Sequence, residues 1–136
     1  MVKFIYRSAA IIAGMGWFVS IYTTIVNGPA VFEFLGYISS SEFEYHPMLD
    51  YWMKMAGIAF AFIGLGFIFC GIRWKKNLPL GKYFALYQII CFIGVVLSVL
   101  RLDLDSSIYV LDFAFFLGTG IPMLIAWSSL TAKKDR

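Results

Sequence analysis

The sequence predicts an all-α integral membrane protein, a four-helix bundle with a short external interfacial helix after the first span. Three observations lead to this prediction: 61% of the 136 residues are hydrophobic, only 14% are charged, and the apolar residues form four long runs. An ordinary soluble domain has roughly half apolar and about a quarter charged residues. A soluble core of this size is too small to hide the surplus, so we expect it to face lipid.

Each of the four runs approaches the length of about 20 helical residues that a bilayer core requires. We predict one domain, residues 1–136, with membrane-spanning helices over residues 8–26, 52–72, 83–100 and 108–127. Lys3 and Arg7 precede the first run, as in a signal peptide. No small-residue cleavage motif follows Val26, so we expect this helix to be retained.

The basic residues fall on one side of this topology. Nine of the eleven Lys and Arg residues lie near the termini or between the second and third runs: Lys3, Arg7, Arg73, Lys75, Lys76, Lys82, Lys133, Lys134 and Arg136. Within that middle segment, residues 73–82, Pro79 and Gly81 predict a short turn. The positive-inside rule then predicts a multi-pass protein of the inner (plasma) membrane with both termini cytoplasmic. The other side carries most of the acidic residues: Glu33, Glu42, Glu44, Asp50, Asp103, Asp105 and Asp112.

The external segment, residues 27–50, begins with helix signals. Asn27 is a suitable N-cap, and Pro29 falls near the first helical position. We predict an interfacial helix whose apolar face consists of Val31, Phe34, Leu35 and Ile38. Residues 39–47 predict a loop, in which His46 is interpreted as a solvated histidine.

The chain offers little for metal or cofactor chemistry. One histidine and two cysteines do not supply the roughly four ligands of a zinc site, and we predict no cofactor. Cys70 and Cys91 fall in apolar runs and are expected to be buried thiols. The net charge of +3 is an orientation signal, so nucleic acid is not an expected partner.

Small and polar residues identify the inward face of each span, because helices in lipid associate through close packing and polar contacts. In the second span they are Lys54, Gly57, Ala61, Gly64, Ile68 and Gly71, and in the first Ala9, Ala13, Gly16, Ser20, Thr23 and Asn27. In the third span they are Cys91, Gly94, Ser98 and Arg101, and in the fourth Asp112, Phe115, Thr119 and Pro122. Gln88 in the third span is expected to form an interhelical hydrogen bond. We predict that Gly57, Ala61 and Gly64 lie at a helix-to-helix contact.

Four charged residues form the candidate site, an external polar cluster of Asp50, Lys54, Arg101 and Asp112. A charge within the bilayer costs about 2.5 to 3.5 kcal/mol at its centre, so these groups should pair. Arg101 and Asp112 flank the same short turn, and we expect them to pair at similar depth. The cluster either closes the bundle as a neutral lock, or binds a lipid headgroup or small solute, or relays protons.

The second half of the chain resembles small four-helix bacterial inner-membrane proteins of unknown function that are distantly DoxX-like. The similarity covers roughly residues 48–125. It rests on YWMKMAGIAF at residues 51–60 with Ile63 and Gly64, RLDL at 101–104, YVLD at 109–112 and FFLGTGI at 115–121. The resemblance implies a four-span inner-membrane protein and brings no catalytic residues with it.

Three functional classes stay open at this point. The first is a structural or accessory membrane subunit, which packs in a homo-oligomer or a larger membrane complex. The second is a binding or transport module for a lipid headgroup or small solute that uses the external cluster. The third is a membrane enzyme acting on a lipid or quinone with Asp112 as acid or base, and it ranks last because no paired catalytic group is recognisable.

Overall fold

A computed structural model describes residues 1–39, 44–102 and 106–132 of the chain. Across these residues the protein is all-α, as predicted, and no strand occurs in them. The helices are α1 (Val2–Phe18), continued by a 3₁₀ turn (Val19–Ile21) into α2 (Tyr22–Ile25), then α3 (Gly28–Ser39), α4 (Pro47–Ile72), α5 (Trp74–Leu102) and α6 (Ser106–Ala132).

Four of the described segments are long and apolar enough to cross a membrane, which is the architecture of a multi-pass membrane protein. They are Val2–Ile25, Pro47–Ile72, Trp74–Arg101 and Tyr109–Ala132. Successive segments run in opposite directions, since contacts such as Gly14 with Gly64, Phe67 with Phe84 and Gln88 with Thr119 pair them antiparallel. We call the end where α1 begins, α4 passes into α5 and α6 finishes the basic end, and the end that carries α3 the acidic end.

The predicted turn over residues 73–82 is wrong, because α5 already begins at Trp74 and runs through Pro79 and Gly81. Only Arg73 separates α4 from α5. Pro79 removes one helical hydrogen bond within the first two turns, close to the solvated helix end. Tertiary contacts stabilise the helical form: the Trp127 indole N–H donates to the Leu78 carbonyl at 2.9 Å. Gly81 lies so close to the Tyr6 hydroxyl that a side chain would collide with it.

The closest helix pair is α1 with α4, and the glycine stripe of α4 explains it. A Cβ on Gly64 would lie 2.6 Å from the Gly14 carbonyl oxygen and 2.7 Å from the Phe18 nitrogen, so the two backbones touch there. Gly57 and Ala61 are buried along the same face. The predicted helix-to-helix contact is therefore confirmed, although Gly14 of α1 meets Gly64 while Gly16 faces α6 instead.

Hydroxyl groups of the first span extend this contact towards the acidic end. The Ser20 hydroxyl shares its proton between the Trp17 carbonyl of its own span at 2.6 Å and the Gly57 carbonyl of α4 at 3.1 Å. The Thr23 hydroxyl does the same between the Ser20 carbonyl at 2.8 Å and the Met53 carbonyl at 3.2 Å. Thr24 donates to the Lys54 carbonyl at 3.2 Å. All three hydroxyls thus reach across to α4, as polar side chains do between helices in lipid.

The short helix α3 begins as predicted, since the Asn27 side-chain oxygen accepts the Ala30 N–H at 3.0 Å. Its buried face differs from the prediction. Val31 is buried, but Phe32 takes the place of Phe34, which is 46% exposed. Phe32 packs edge-on against Tyr45, so the chain beyond α3 covers a face that periodicity alone assigned to solvent. Ile38 lies among the side chains that the structure does not describe.

Candidate functional site

Two of the four predicted cluster residues are joined directly. The Lys54 ammonium nitrogen lies 2.9 Å from an Asp50 carboxylate oxygen, one helical turn away on α4. Asp50 is only 8% exposed, because Gly28 at the start of α3 packs against its carboxylate. The Tyr45 hydroxyl also lies 3.5 Å from the same carboxylate oxygen. This half of the cluster fastens α3 to the beginning of α4.

The other two predicted residues do not meet: within the described residues no ion pair joins Arg101 to Asp112. Helix register gives the reason. Gln88 and Thr119 are hydrogen-bonded and so lie at one level. With about 1.5 Å per residue, Arg101 lies about 20 Å beyond that level and Asp112 about 10 Å beyond it. The expected similar depth is therefore wrong, and Arg101 is exposed nearer the acidic end.

Asp112 instead lies in an open cleft that we call the Asp112 cleft. Two adjoining cavities of about 330 and 430 Å³ share Trp17, Phe60, Asp112 and Phe116 in their walls. The larger cavity extends along α5, where Cys91, Gly94, Val95 and Ser98 line it. Asp112, Gly94 and Ser98 are exposed, so the cleft is open to the surroundings of the protein. Asp112 has no hydrogen-bond or ion-pair partner among the described residues.

The cleft exists because α5 approaches α4 only towards the basic end. There the Phe67 and Phe84 ring centroids lie 4.5 Å apart with the planes tilted by 45°, and Gly66 of α4 receives the tip of the Phe84 ring. Further along α5, a Cβ added to Gly94 would meet nothing within 4 Å. The space beside Gly94 is the larger cavity, with Phe60 on its opposite wall.

Aromatic rings form much of the wall, and Trp17 lies at their centre. Its ring centroid is 4.9 Å from Phe60, 5.4 Å from Tyr87, 6.3 Å from Phe115 and 5.7 Å from Phe116. These rings belong to α4, α5 and α6, so Trp17 of α1 touches every other membrane-spanning helix. Tyr109 adds a further ring to the wall of the larger cavity.

A hydrogen-bonded chain holds Trp17 in this position. Its indole N–H donates to the Gln88 side-chain oxygen at 3.0 Å, and the Gln88 amide donates to the Thr119 hydroxyl at 2.7 Å. Thr119 in turn donates to the Phe115 carbonyl at 2.7 Å. Gln88 is fully buried, so its carboxamide needs both partners. The predicted interhelical role of Gln88 is confirmed.

Trp17 and Phe60 line the cleft but are not among the residues predicted for the site. A tryptophan usually anchors the end of a span, where its N–H can reach water. Trp17 lies well inside the first span, so its N–H requires a partner within the protein. The single glutamine of the sequence, Gln88, also lies inside a span. A buried donor and a buried acceptor in two spans were the sequence signal that Trp17 and Gln88 could be hydrogen-bonded to each other. Nothing in the local pattern marks Phe60 among fourteen phenylalanines.

The chemical groups of the cleft are few. Besides the Asp112 carboxylate, the polar groups of the lining side chains are the Cys91 thiol, the Trp17 indole N–H, which donates to Gln88, and the hydroxyls of Ser20, Tyr109 and Ser98. The Ser98 hydroxyl donates to the Gly94 carbonyl of its own helix at 2.9 Å. His46 is exposed before the start of α4, away from the cleft walls. Among the residues that the structure describes, no three metal-ligating side chains converge. The cleft thus combines one negative charge with aromatic surface.

No protein-family model, curated protein or solved structure matches this chain. The resemblance to small DoxX-like proteins therefore stays a prediction. The function has to be argued from the cleft itself.

Proposed function

We propose that this multi-pass membrane protein is a binding module that holds an amphiphilic organic cation in the Asp112 cleft. The observation that carries the proposal is an exposed carboxylate without a partner among the described residues, in a cleft walled by aromatic rings. A carboxylate inside a span is costly when it has no counter-charge, so a cationic ligand would stabilise it.

The walls favour an organic cation over a hydrated metal ion. Aromatic faces attract ammonium groups within about 6 Å of the ring centroid, and the attraction grows when water is excluded. Trp17, Phe60 and Phe116 border both cavities together with Asp112. A nitrogen or phosphorus cation with apolar substituents would pair its positive charge with the Asp112 carboxylate and place its substituents against the aromatic rings.

An organic cation of this kind has two sources, the trimethylammonium headgroup of a phospholipid and a free amphiphilic cation.

The test uses the full-length protein in maltoside micelles and measures tetraphenylphosphonium binding by calorimetry. The Asp112→Asn variant keeps the shape of the side chain and removes its charge. We expect binding to weaken about tenfold, which corresponds to about 1.4 kcal/mol, since the variant removes the attraction between the carboxylate and the cation.

Glu33→Gln is the matched control, because it removes the same charge from α3 at the same end of the molecule, outside the cleft. It should leave tetraphenylphosphonium binding unchanged. Neutral triphenylphosphine oxide should bind wild type and Asp112→Asn equally. Competition by added phosphatidylcholine would identify the lipid headgroup as the natural source, and its absence would favour a free cation. Equal binding of tetraphenylphosphonium to wild type and Asp112→Asn would end the proposal.

We also propose that the protein resides in the inner (plasma) membrane with both termini cytoplasmic. The described part of the basic end carries Lys3, Arg7, Arg73, Lys75, Lys76 and Lys82, which supports this orientation under the positive-inside rule. The Asp112 cleft would then open near the external surface. Lys133, Lys134, Asp135 and Arg136 lie outside the described residues, as do Glu42, Asp103 and Asp105.

A structural or accessory subunit is the second candidate. Much of the polar chemistry is satisfied inside the protein, as in a scaffold. Hydrogen bonds link Trp17, Gln88 and Thr119, and an ion pair links Asp50 and Lys54. Assembly into a homo-oligomer or a larger membrane complex stays a prediction. Under this alternative no organic cation would bind in an Asp112-dependent way, so the same calorimetric experiment separates the two functions.

A further inference from the structure

A second cavity lies at the basic end, far from the Asp112 cleft. It measures about 660 Å³ and is formed by the beginning of α1, the first turns of α5 and the last turns of α6. We call it the basic groove. Lysines and tryptophans dominate its walls, which include Lys3, Lys75, Lys76, Trp74, Trp127 and Leu130.

Positive charge converges in this groove. The Lys3 ammonium lies 5.5 Å from the centroid of the Trp74 ring, and the Lys75 ammonium lies 5.9 Å from the same centroid. Lys76 adds a third positive charge to the wall, and no acidic side chain lines the groove. Within the described residues, none of the three lysines has an ion-pair partner. Because Lys3 and Lys75 lie over the same ring, their positive charges repel each other, and an anion in the groove would offset that repulsion.

The start of α5 positions two of these lysines. The 29-residue helix begins at Trp74, so Lys75 and Lys76 lie in its first turn. The hydrogen bond from Trp127 to the Leu78 carbonyl fixes the end of α6 against these first turns. The groove is therefore a shaped feature of three helices, rather than a set of independent surface lysines.

We propose that the basic groove binds the headgroup of an anionic phospholipid. Its phosphate would lie among Lys3, Lys75 and Lys76, and its glycerol and first acyl carbons against Trp127 and Leu130. Two features favour a lipid over a free anion. The groove lies at the end of membrane-spanning helices, where headgroups are found, and its walls combine tryptophan and leucine with the lysines. This inference is independent of the function proposed for the Asp112 cleft.

The test measures lipid binding to the full-length protein in maltoside micelles by native mass spectrometry. Phosphatidylglycerol and phosphatidylcholine are titrated separately, and the lipid-bound fraction gives an apparent Kd. We expect phosphatidylglycerol to bind at least about tenfold more tightly than phosphatidylcholine. Each lysine near a headgroup contributes about fivefold to such binding, so the triple change Lys3→Gln, Lys75→Gln and Lys76→Gln should weaken it about a hundredfold.

Lys82→Gln is the matched control, since Lys82 lies at the same end and over Trp127 at 5.5 Å, but does not line the groove. Because its ammonium contacts the Trp127 ring that borders the groove, the Lys82 change should weaken phosphatidylglycerol binding by no more than about twofold, against about fivefold for a lysine that lines the groove. The three corresponding changes to Arg should keep tight binding, because they keep the charge. If the triple Gln variant lost helicity in circular dichroism, Lys76→Gln alone would be measured and should weaken binding about fivefold.

Three results would overturn the proposal. The first is equal phosphatidylglycerol binding by wild type and the folded Gln variant. The second is an equal loss in Lys82→Gln, which would mean that general surface charge holds the lipid. The third is displacement of phosphatidylglycerol by millimolar inorganic phosphate, which would assign the groove to a free anion. Asp112→Asn should leave phosphatidylglycerol binding unchanged. A negative result for one of the two proposed sites therefore says nothing against the other.

Discussion

In the α1–α4 interface glycines bring two backbones into contact, whereas along the acidic half of α5 a glycine faces open space. A side chain on Gly64 would collide with backbone atoms of Gly14 and Phe18, while one on Gly94 would meet nothing within 4 Å. Both glycines belong to stripes of small residues that the sequence places on inward faces. The comparison teaches that such a stripe identifies the face of a helix, but not whether another helix fills the space in front of it.

The largest expected effect tests this difference directly. Gly64→Leu should destabilise the protein by about 3 kcal/mol, because backbone atoms at 2.6 and 2.7 Å cannot move aside without separating α1 from α4. Gly94→Leu should cost less than about 0.5 kcal/mol. Thermal unfolding in maltoside micelles measures both. Equal losses in the two variants would mean that the cleft is as tightly packed as the α1–α4 interface.

Gly66→Leu provides an intermediate point. Its Cβ would meet only the tip of the Phe84 ring, at 2.8 Å, and a ring tip can move more easily than backbone. We expect a loss of about 1 kcal/mol, between those of the other two glycines. In addition, Gly94→Leu should fill the Asp112 cleft and abolish tetraphenylphosphonium binding while the protein stays folded.

The next effect concerns the hydrogen-bonded chain beside the cleft. Gln88→Leu keeps the bulk of the side chain but leaves the Trp17 indole N–H and the Thr119 hydroxyl without their shared partner. We expect a loss of about 1 to 2 kcal/mol. Ser98→Ala is the control, because Ser98 is exposed and bonds only within its own helix. If the Gln88→Leu protein were as stable as the Ser98→Ala protein, the hydrogen bonds of Gln88 would contribute nothing to stability.

A smaller effect is expected at the Asp50–Lys54 pair. A double-mutant cycle with Asp50→Asn and Lys54→Met should give a coupling energy of about 0.5 to 1 kcal/mol, since the Lys54 side chain is 36% exposed and solvent weakens the attraction. Neither change should alter organic-cation binding at Asp112. A loss of that binding would show that the two halves of the predicted cluster cooperate after all.

The last prediction concerns the orientation of the protein in the membrane. Single cysteines at Tyr37 and Lys76, introduced after Cys70 and Cys91 are replaced by alanine, should react with a membrane-impermeant maleimide from opposite sides of the membrane. Tyr37 is 86% exposed and Lys76 is exposed, so both positions are accessible, whereas the neighbouring Asn77 is buried. Labelling of both from one side would contradict the proposed topology.

Much of the fold follows from local pattern. Hydrophobic runs locate the four membrane-spanning helices, and the stripe of Gly57, Ala61 and Gly64 identifies the α4 face that meets α1. The cap at Asn27 locates the start of α3. These features are recoverable from sequence because each depends on residues within a few helical turns of one another. The predicted turn at Pro79 and Gly81 fails for the opposite reason, since contacts with Tyr6 and Trp127, distant in sequence, keep that segment helical.

The number of spans, their approximate limits and the inward face of α4 can be read from the amino-acid sequence alone, because lipid requires apolar length and helix contact requires small side chains. The surroundings of Asp112 depend instead on how the helices pack together. The bond from Gln88 to Thr119 sets the register of α5 against α6, and that register separates Arg101 from Asp112 along the helices. Register between helices depends on contacts made across the bundle, which no local pattern in either helix encodes. The same contacts place Trp17 among the rings of three other helices and leave one carboxylate in an aromatic cleft.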